Sequence, residues 1–520
     1  MRKHIAIGAL LTIIALGGRL SLAVYLPNDD DDDGRYYAQI AKNLLDHHGY
    51  SGEAEEPHPP TYIRVPGYPI FLASVYGVLG RDNNLAVRIA QAVVDTICCW
   101  LIAFLAAAWS PRGWESARRW RAALAALGLA AVCPFIAIYV TTILTESWAT
   151  TLSTAFALLA TLALKAGNDT KRRTLWLLAG LTGGAAAMFR PDCAIFVGGA
   201  GLVLVIDGLR YGWLARRERG AAISLAELIR ALVCGLLLTI GFSEALAPWT
   251  IRNARVFGVF QPVAPRYANM PDEFAPLGYI AWLRTWVDDE RYVSPIEDGL
   301  DLYPINIELI PDSAFDSPDE RTRVAGLLER YNNPTREDAG DSVDDEAGDE
   351  PDEPLLPTMT PELDAEFAEI ARSRVQRSPV RYYFALPLKR AASLWFDTHS
   401  QFYPFQGELF PWWALDRDKH QQYWLPLFGV LTLIYTALGL AGVWVMMKKG
   451  ETRRWLLLLV LLILPRLAFL AAQEHPEGRY TVEFFPFIIA AGGLALAAVE
   501  ARCPRRAAPE SSPAHDHRPA

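Results

Sequence analysis

Apolar residues along this chain are gathered into long runs that polar segments separate. A helix needs about 20 apolar residues to cross the roughly 30 Å hydrocarbon core of a bilayer. About ten runs approach this length, although some are shorter: Ile5–Tyr25, Ala86–Trp109, Ala122–Thr142, Ser147–Leu164, Leu175–Phe189, Cys193–Ile206, Leu228–Ala247, Tyr423–Met447, Trp455–Ala472 and Phe484–Val499. The pattern predicts an all-α polytopic membrane protein with about ten transmembrane helices.

The first run follows Arg2 and Lys3, which is also how a secretory signal peptide begins. Its apolar stretch is long for a signal peptide and has no clear cleavage site of the small-x-small type. The sequence therefore favours a first helix that is retained, with a cleaved signal peptide as the alternative.

Basic residues cluster after the second, fourth, sixth, eighth and tenth runs. The positive-inside rule assigns these loops to the cytoplasm together with Arg2 and Lys3, and ten crossings satisfy that assignment. The stretch Ile70–Leu79 is too short to span and would invert every later loop, so we expect it to be a helix at the membrane surface. The sequence thus predicts a multi-pass protein of the cell membrane with both termini in the cytoplasm. Segments 27–85 and 248–422 lie outside, in the periplasm or beyond the cell.

This topology divides the chain into four parts. Residues 1–247 form a transmembrane module that includes the first external loop, and residues 248–422 form a large external segment of mixed structure. Residues 423–500 supply the C-terminal transmembrane helices, and residues 501–520 form a disordered cytoplasmic tail. Within the external segment, about residues 335–355 are rich in Asp, Glu and Gly, which predicts a disordered insert, with ion binding as the alternative.

Composition excludes several classes of protein. With Lys+Arg 49 against Asp+Glu 58, the net charge of −9 is too acidic for a simple nucleic-acid binder, and 52% hydrophobic residues exclude a disordered chain. The six cysteines avoid the long external loops, so we expect no structural disulfide. The chain has no Walker loop and no dinucleotide fingerprint, and its scattered histidines lack metal-binding spacing.

The first external loop carries a candidate catalytic carboxylate. Asp29–Asp33 follow the first run directly, and Tyr36, Ile40 and Leu44 then recur at helical spacing. An amphipathic helix lying on the membrane would hold Asp33 at its start, at the membrane surface. A carboxylate in that position can act as a general base on a hydroxyl group. The alternative is a solvated helix end without a chemical role.

A group of arginines lies near the outer membrane surface, where the positive-inside rule disfavours cations. A guanidinium binds phosphate through a planar fork of donors, so a bound lipid phosphate would explain the group. For any single arginine, pairing with external acids or with lipid headgroups is the alternative. The members are Arg35, Arg64, Arg190, Arg252, Arg255 and Arg479.

Further charges map within or close to the membrane, where charged side chains usually face a bundle interior or a wet cavity. Glu146 lies in the sequence TESW at the start of the fourth run, and a structural alternative there is a helix capped by Thr145. Arg466 follows Pro465, which predicts a kinked helix with a buried partner for the guanidinium. The other members of this set are Asp95 and Glu244.

Motifs along the chain give it a family resemblance. In order they are Asp33 ahead of YYAQIAKNLL, RVPGYPIFLASVYGVLG at Arg64–Gly80, TESW at Thr145–Trp148, FRPD at Phe189–Asp192, APWTIRNARVFG at Ala247–Gly258 and GRY at Gly478–Tyr480. In this order and on this side of the membrane, the chain resembles the polytopic glycosyltransferases of the GT-C class. That class includes the dolichyl-phosphate-mannose protein mannosyltransferase-like enzymes and the bacterial aminoarabinose lipid A transferases. The resemblance is best over residues 1–265 and weak through the second external segment.

The resemblance implies transfer of a sugar from a polyprenyl-phosphate carrier to a lipid, glycan or protein acceptor on the outer face, with inversion. Asp33 would be the general base, membrane lipids would be further partners, and no nucleic acid is involved. Candidates for the carrier phosphate are Arg64, Arg190, Arg252 and Arg479. The other implied substrate-binding residues are Arg35, Tyr36, Tyr68, Glu146, Asn253 and Tyr480.

The sequence departs from the family pattern at two places. Many relatives carry an Asp-Glu pair in the first loop, whereas Gly34 follows Asp33 here. The aminoarabinose transferases carry an acid–lysine pair before the loop proline, whereas Arg64 and Val65 precede Pro66 here. The sequence therefore assigns no cofactor, leaves a divalent metal open and does not name the sugar.

The rival function is a transporter or flippase of lipid-linked glycans, which would share the many helices and the charges in the membrane. Such a protein predicts repeated halves with paired broken helices, and the sequence shows no such repeat. A scaffold that recruits partners through the acidic insert is a third alternative.

Overall fold

The structure is a computed structural model that describes residues 2–29, 31–219, 221–267, 269–270, 273–335, 355–407, 409, 419–448 and 452–499. Within these ranges the regular structure is helical, and a single bridge between Asn28 and Thr142 is the only strand-like pairing. The prediction of an all-α chain is confirmed. The predicted acidic insert and the predicted tail at 501–520 lie outside the described residues.

The helices follow one another along the whole described chain. They are α1 (Arg2–Tyr25), α2 (Asp32–Leu45), α3 (Gly67–Leu79), α4 (Asn84–Trp109), α5 (Ser116–Ala131), α6 (Pro134–Ala137), α7 (Glu146–Lys165), α8 (Asp169–Phe189), α9 (Ala194–Arg219), α10 (Ala221–Phe257), α11 (Leu277–Leu283), α12 (Pro318–Asn332), α13 (Pro361–Arg377), α14 (Leu386–Phe396), α15 (Lys419–Lys448), α16 (Arg453–Ala471) and α17 (Phe485–Val499).

Eight helical stretches in the described ranges are long and apolar enough to cross a membrane, and they lie in α1, α4, α7, α9, α10, α15, α16 and α17. A ninth is broken, because α5 and the helical turns from Pro134 to Thr141 meet at an angle of 54°. The remaining predicted run lies in α8, whose 21 residues include a more polar first turn. Every predicted run thus coincides with a helix, while the sidedness stays a prediction.

Glycines bring α8 into the bundle against α10. A side chain at Gly180 would place its first carbon 2.2 Å from the carbonyl oxygen of Leu238, and one at Gly241 would stand 2.3 Å from that of Leu177. The two backbones therefore touch where side chains would otherwise separate them. Small residues at helix crossings are the usual way for membrane helices to pack closely, because lipid supplies no hydrophobic drive between them.

The first external loop folds onto the bundle through α2 and α3. The carboxylate of Asp31 caps α2 by accepting a hydrogen bond from the backbone nitrogen of Gly34 at 3.3 Å. A side chain at Gly34 would come within 3.1 Å of the carbonyl oxygen of Ile143, beside the broken span. Gly34 thus lets the start of α2 and Asp33 sit close to the bundle. The helix predicted over Ile70–Leu79 is α3, which is shorter than a span.

The long helix α10 runs without interruption through Pro248 to Phe257, so the predicted domain boundary at 247–248 falls inside a helix. Its 37 residues correspond to about 55 Å, which exceeds the roughly 30 Å hydrocarbon core. The helix therefore carries residues of the bundle and of the external side on one rigid element.

The described part of the external segment has a hydrophobic cluster of its own. Tyr279 and Trp282 on α11 pack with Leu327 on α12 and Phe367 on α13, and all four are buried. The external segment therefore forms a folded unit above the bundle, and α14 joins this unit to α16.

Candidate functional site

Three cavities meet at Asp33 and at the arginines around it. We call the smallest, of about 250 Å³, the arginine cavity, because Arg64, Arg190, Arg266 and Arg479 line it together with Asp33. The acidic cavity, of about 860 Å³, shares Asp33, Arg64 and Arg479 with it. The apolar cavity, of about 920 Å³, shares Arg190 and Arg266 with it. Asp33 thus stands at the junction of the arginine cavity and the acidic cavity.

Two guanidinium groups hold the carboxylate of Asp33. The Nη2 atom of Arg64 donates a hydrogen bond to Oδ1 at 2.7 Å, and the Nη2 atom of Arg479 lies 3.8 Å from Oδ2. Asp33 lies in the first turn of α2, where the helix dipole also stabilises a negative charge. Its side chain is 30% exposed, so a substrate in either cavity can reach it.

Arg190 belongs to a buried network of charges beneath the arginine cavity. Its Nη1 atom donates to Glu146 Oε1 at 2.9 Å, and its Nε atom lies 3.3 Å from Asp192 Oδ1. Arg466 contacts the same Asp192 at 2.5 Å and Glu483 at 2.9 Å. Charges that are buried this deeply are stable only when they are paired. Each guanidinium of the network accordingly contacts at least two carboxylates, and Asp192 is shared between Arg190 and Arg466.

The network includes charges that the sequence placed in or near the membrane. Thr145 makes no capping hydrogen bond to α7, and Glu146 in the first turn of that helix contacts Arg190. The buried partners predicted for Arg466 are Asp192 and Glu483. Asp95, another charge predicted to face the bundle interior, pairs with Arg19 of α1.

Arg266 differs from the other arginines of the cavity. Within the described residues no carboxylate lies at salt-bridge distance from it, and its Nη2 atom donates to the amide oxygen of Gln473 at 2.6 Å. It lies where the arginine cavity joins the apolar cavity. Its positive charge is therefore the least compensated of the four.

The acidic cavity contains a buried carboxyl group that the sequence did not indicate. Glu290 accepts hydrogen bonds from Gln401 Nε2 at 3.0 Å and from the backbone nitrogen of Gly478 at 3.3 Å. Burial, followed by the negative charges of Asp397 and Glu477, raises the pKa of Glu290 to about 8. Glu290 thus keeps its proton near neutral pH and joins the external segment to the GRY motif.

A histidine and a glutamate precede the GRY motif and support its arginine. His475 Nε2 lies 2.7 Å from Glu477 Oε1, and Arg479 contacts the other oxygen of Glu477. Burial opposes the charged form of His475, but the contact with Glu477 raises its pKa to about 9. Burial likewise opposes the charge of Glu477, but Arg479 and His475 lower its pKa to about 2. This chain of charges fixes the guanidinium that faces Asp33.

Six of the residues predicted from the sequence line the arginine cavity: Asp33, Arg64, Glu146, Arg190, Arg479 and Tyr480. Arg35 and Tyr36 do not line any of the three cavities; Arg35 is exposed and pairs with Asp32, and the ring of Tyr36 lies 5.9 Å below the guanidinium of Arg64. Tyr68 is buried and donates to Gln91 Oε1 at 2.8 Å.

Arg252 and Asn253 also lie away from these cavities, and they secure loops. Arg252 Nη1 donates to the carbonyl oxygen of Thr61 at 2.7 Å, and its guanidinium lies 5.0 Å from the ring of Trp249. Asn253 is buried and donates to the carbonyl oxygen of Gln261 at 2.8 Å. The long helix α10 thereby fastens the first external loop that carries Asp33.

Arg266 and Glu290 lie in stretches without a recognisable motif, so no pattern in the sequence indicated them. The signal available for His475 and Glu477 was their position directly before Gly478 in HPEGRY. No group of three or more His, Cys, Asp or Glu side chains in the described residues is arranged to hold a metal ion, so we assign none of them to a metal.

Comparison with solved structures finds distant likenesses over nearly the whole chain. The oligosaccharyltransferase from Archaeoglobus fulgidus, tethered with an acceptor peptide, is 13% identical and has a TM-score of 0.47, with 96% of this chain and 50% of that chain covered. ArnT from Cupriavidus metallidurans, bound to undecaprenyl phosphate, is 15% identical with a TM-score of 0.36, and 95% and 79% are covered. The arabinosyltransferase EmbB from Mycobacterium smegmatis is 15% identical with a TM-score of 0.32, and 94% and 41% are covered.

This chain spans about half the length of the oligosaccharyltransferase. No protein-family model and no curated protein matches the sequence. The three solved structures are membrane glycosyltransferases of the class that the sequence motifs resemble.

Proposed function

We propose that this chain is a glycosyltransferase that uses a polyprenyl-phosphate-linked sugar on the outer face of the membrane, with Asp33 as the general base. The observation that carries the proposal is the position of Asp33, between a cavity lined by arginines and a separate acidic cavity. Two substrates can then approach one carboxylate from different sides.

The arginine cavity suits the phosphate of the carrier. Arg266 offers a guanidinium without a carboxylate partner among the described residues, and Arg64 and Arg479 border the same space. The apolar cavity continues from Arg266 to Phe469 and Leu470 on α16, so the polyprenyl chain can leave along a transmembrane helix. Guanidinium groups there stabilise the negative charge that develops on the leaving phosphate.

The acceptor approaches through the acidic cavity. Its hydroxyl oxygen attacks the anomeric carbon while its proton passes to the carboxylate of Asp33. The bond between the anomeric carbon and the phosphate oxygen breaks, and the polyprenyl phosphate leaves with the electron pair. One displacement from the face opposite the phosphate inverts the anomeric carbon.

Replacement of the base tests the proposal. Full-length protein in lipid nanodiscs is given a panel of undecaprenyl-phosphate-linked sugars with extracted envelope lipids and glycans as acceptors, and transfer of labelled sugar is measured. We expect Asp33→Asn to lower the rate about 100-fold or more, as loss of a general base does. The matched control Asp82→Asn makes the same change on an exposed turn and should keep the parent rate.

A full rate in Asp33→Asn would show that Asp33 is not the base. If the parent protein transfers no sugar from any donor of the panel but moves the labelled lipid across proteoliposomes, the transporter is the correct function.

A further inference from the structure

One helix of the external segment has an apolar side that the chain leaves exposed. A helical turn at Arg381–Ala385 leads directly into α14, so that residues 380–396 form one continuous element. Exposed apolar side chains recur at every fourth residue of this element, so each one is next to the following one on the helix surface, and together they form a stripe. They are Val380, Phe384, Leu388, Ala392 and Phe396, and the exposed fraction reaches 71% at Val380 and Leu388.

The opposite side of α14 is anchored in the external segment. Leu386, Arg390 and Leu394 are buried, again at intervals of four residues. Arg390 donates from Nε to the carbonyl oxygen of Val287 at 2.6 Å and from Nη2 to that of Arg284 at 2.7 Å. The orientation of the helix is therefore fixed, and so is the direction in which its apolar side faces.

The end of α14 also contacts transmembrane helices. Trp395 donates from Nε1 to Thr436 Oγ1 of α15 at 2.9 Å, and its ring stacks on Phe485 of α17 with 5.4 Å between centroids. Thr436 lies twelve residues before Lys448, which ends α15 on the predicted cytoplasmic side. That distance is about 18 Å along the helix, whereas the hydrocarbon core is about 30 Å thick. The end of α14 therefore reaches the depth of the outer leaflet.

Neighbouring side chains fit a lipid surface as well. Tyr383 is exposed beside the apolar stripe, and Tyr423 and Trp424 are exposed near the predicted outer end of α15. Tyrosine and tryptophan are enriched where a bilayer meets water. Lys389 is also exposed beside the stripe, where its ammonium group lies 3.4 Å from Asp288 Oδ2.

We propose that residues 380–396 form an interfacial helix whose apolar stripe is inserted into the outer leaflet, with phospholipid as its partner. The end of this element contacts α15 and α17 through Trp395, next to Phe396 of the stripe. Without a lipid partner, an apolar face of this length would be exposed to water by a rigidly anchored helix. The helix thereby fixes the external segment to the bilayer at a second place besides its covalent connections.

Depth-dependent fluorescence quenching tests this contact. In the background Cys503→Ser, Phe384→Cys is labelled with a bimane probe, and the full-length protein is placed in nanodiscs whose phosphatidylcholine carries a nitroxide on the acyl chain. The other cysteines are buried and should not react. We expect acyl-chain nitroxides to quench the label at 384 about threefold more strongly than a label at the control position Arg372→Cys, which is exposed on α13.

Equal, weak quenching at 384 and 372 would overturn the proposal. A label at 384 that is shielded from aqueous iodide, not quenched by lipid and cross-linked between two copies would also overturn it, in favour of an interface between chains. If Phe384→Cys does not fold, Val380→Cys and Leu388→Cys report on the same stripe. The quenching does not depend on sugar transfer, so this test can fail or succeed whether or not the proposed function is correct.

Discussion

Arg266 carries the least compensated positive charge among the arginines of the arginine cavity. Its three neighbours in the arginine cavity each contact a carboxylate, whereas Arg266 donates to an amide oxygen. A hydrogen bond to a charged group contributes about 1.5–3 kcal/mol. An incoming phosphate would gain most of that contribution here, because no existing ion pair has to be broken.

We therefore expect Arg266→Gln to weaken the binding of undecaprenyl phosphate about tenfold, which corresponds to about 1.4 kcal/mol. The measurement is microscale thermophoresis of the purified protein in detergent. The control Arg372→Gln removes an exposed guanidinium on α13 and should leave the affinity unchanged. An unaltered affinity in Arg266→Gln would place the phosphate elsewhere.

Glu290 should make stability depend on pH. Its pKa is about 8 in the folded chain and about 4.5 for the unperturbed group, so between these values the folded state holds a proton that the unfolded state releases. The free energy of unfolding then falls as pH rises through this window, and the contribution is lost above pH 8. A glutamine has no such proton to lose.

Glu290→Gln should consequently gain stability relative to the parent as pH rises from about 5 to about 9. Melting temperatures in detergent at a series of pH values measure this difference. For the exposed Glu329→Gln on α12 we expect a difference that does not change with pH. A constant difference for Glu290→Gln as well would mean that Glu290 is already ionised in the folded protein.

At the residue scale, motifs made the central part of the site predictable. Asp33, Arg64 and Arg479 were found from their motifs, because each lies in a short segment next to a predicted span. Glu290 was not, because its contact with Gly478 joins positions nearly 200 residues apart that no local pattern connects. Arg252 was selected for its charge and side of the membrane, and these do not reveal that its partners are backbone carbonyls.

At the scale of elements, the crossing of α8 and α10 depends on glycines. Gly180 and Gly241 each face backbone atoms of the other helix, whereas nothing lies within 4 Å of a side chain built at Gly235, six residues earlier on α10. An added methyl group at Gly241 would force the helices apart and lose packing that lipid does not replace.

Gly241→Ala should therefore lower the melting temperature of the protein in nanodiscs, at a cost of about 1–3 kcal/mol for overpacking. The same change at Gly235 should be neutral or stabilising, because alanine favours a helix over glycine by up to about 1 kcal/mol. If both variants melt alike, the two helices do not touch at Gly241.

The hydrophobic pattern predicted the spans because each one must be apolar along its own length. It could not predict how they cross, since the contact of Gly180 with Leu238 depends on which faces meet. It also described the third run as a single stretch, whereas the chain bends by 54° between α5 and the turns that follow. Pro134 at the start of the second piece is the local signal for that break.

At the scale of the whole molecule, buried charges hold together helices that are far apart in sequence. Arg19 of α1 contacts Asp95 of α4 and donates to the carbonyl oxygens of Ala130 and Ala131, where α5 ends at the bend. The carbonyl groups freed by the bend are thus satisfied by a side chain. The order of residues placed Asp95 within a predicted span, but only the fold shows that its partner Arg19 joins the first span to the broken one.

The sidedness of the molecule is a prediction from its basic loops. The fold shows that Asp33, Arg190, Arg266 and Arg479 line one cavity. The sequence predicted the external segment only as a large segment of mixed structure, without the contacts that fold it. Its hydrophobic cluster and its docking through α14 arise from contacts between distant helices that no window of sequence contains.

The pairing of Asp33 with Arg64 links the proposed phosphate site to the base. Oδ1 of Asp33 accepts a hydrogen bond from Arg64 at 2.7 Å, and this contact makes Oδ1 less available to a hydroxyl group. Under the proposed function, a phosphate that draws the guanidinium to itself releases that oxygen. The arrival of the carrier then leaves that oxygen free to accept the proton of the acceptor hydroxyl, so that binding of the donor and activation of the base are coupled.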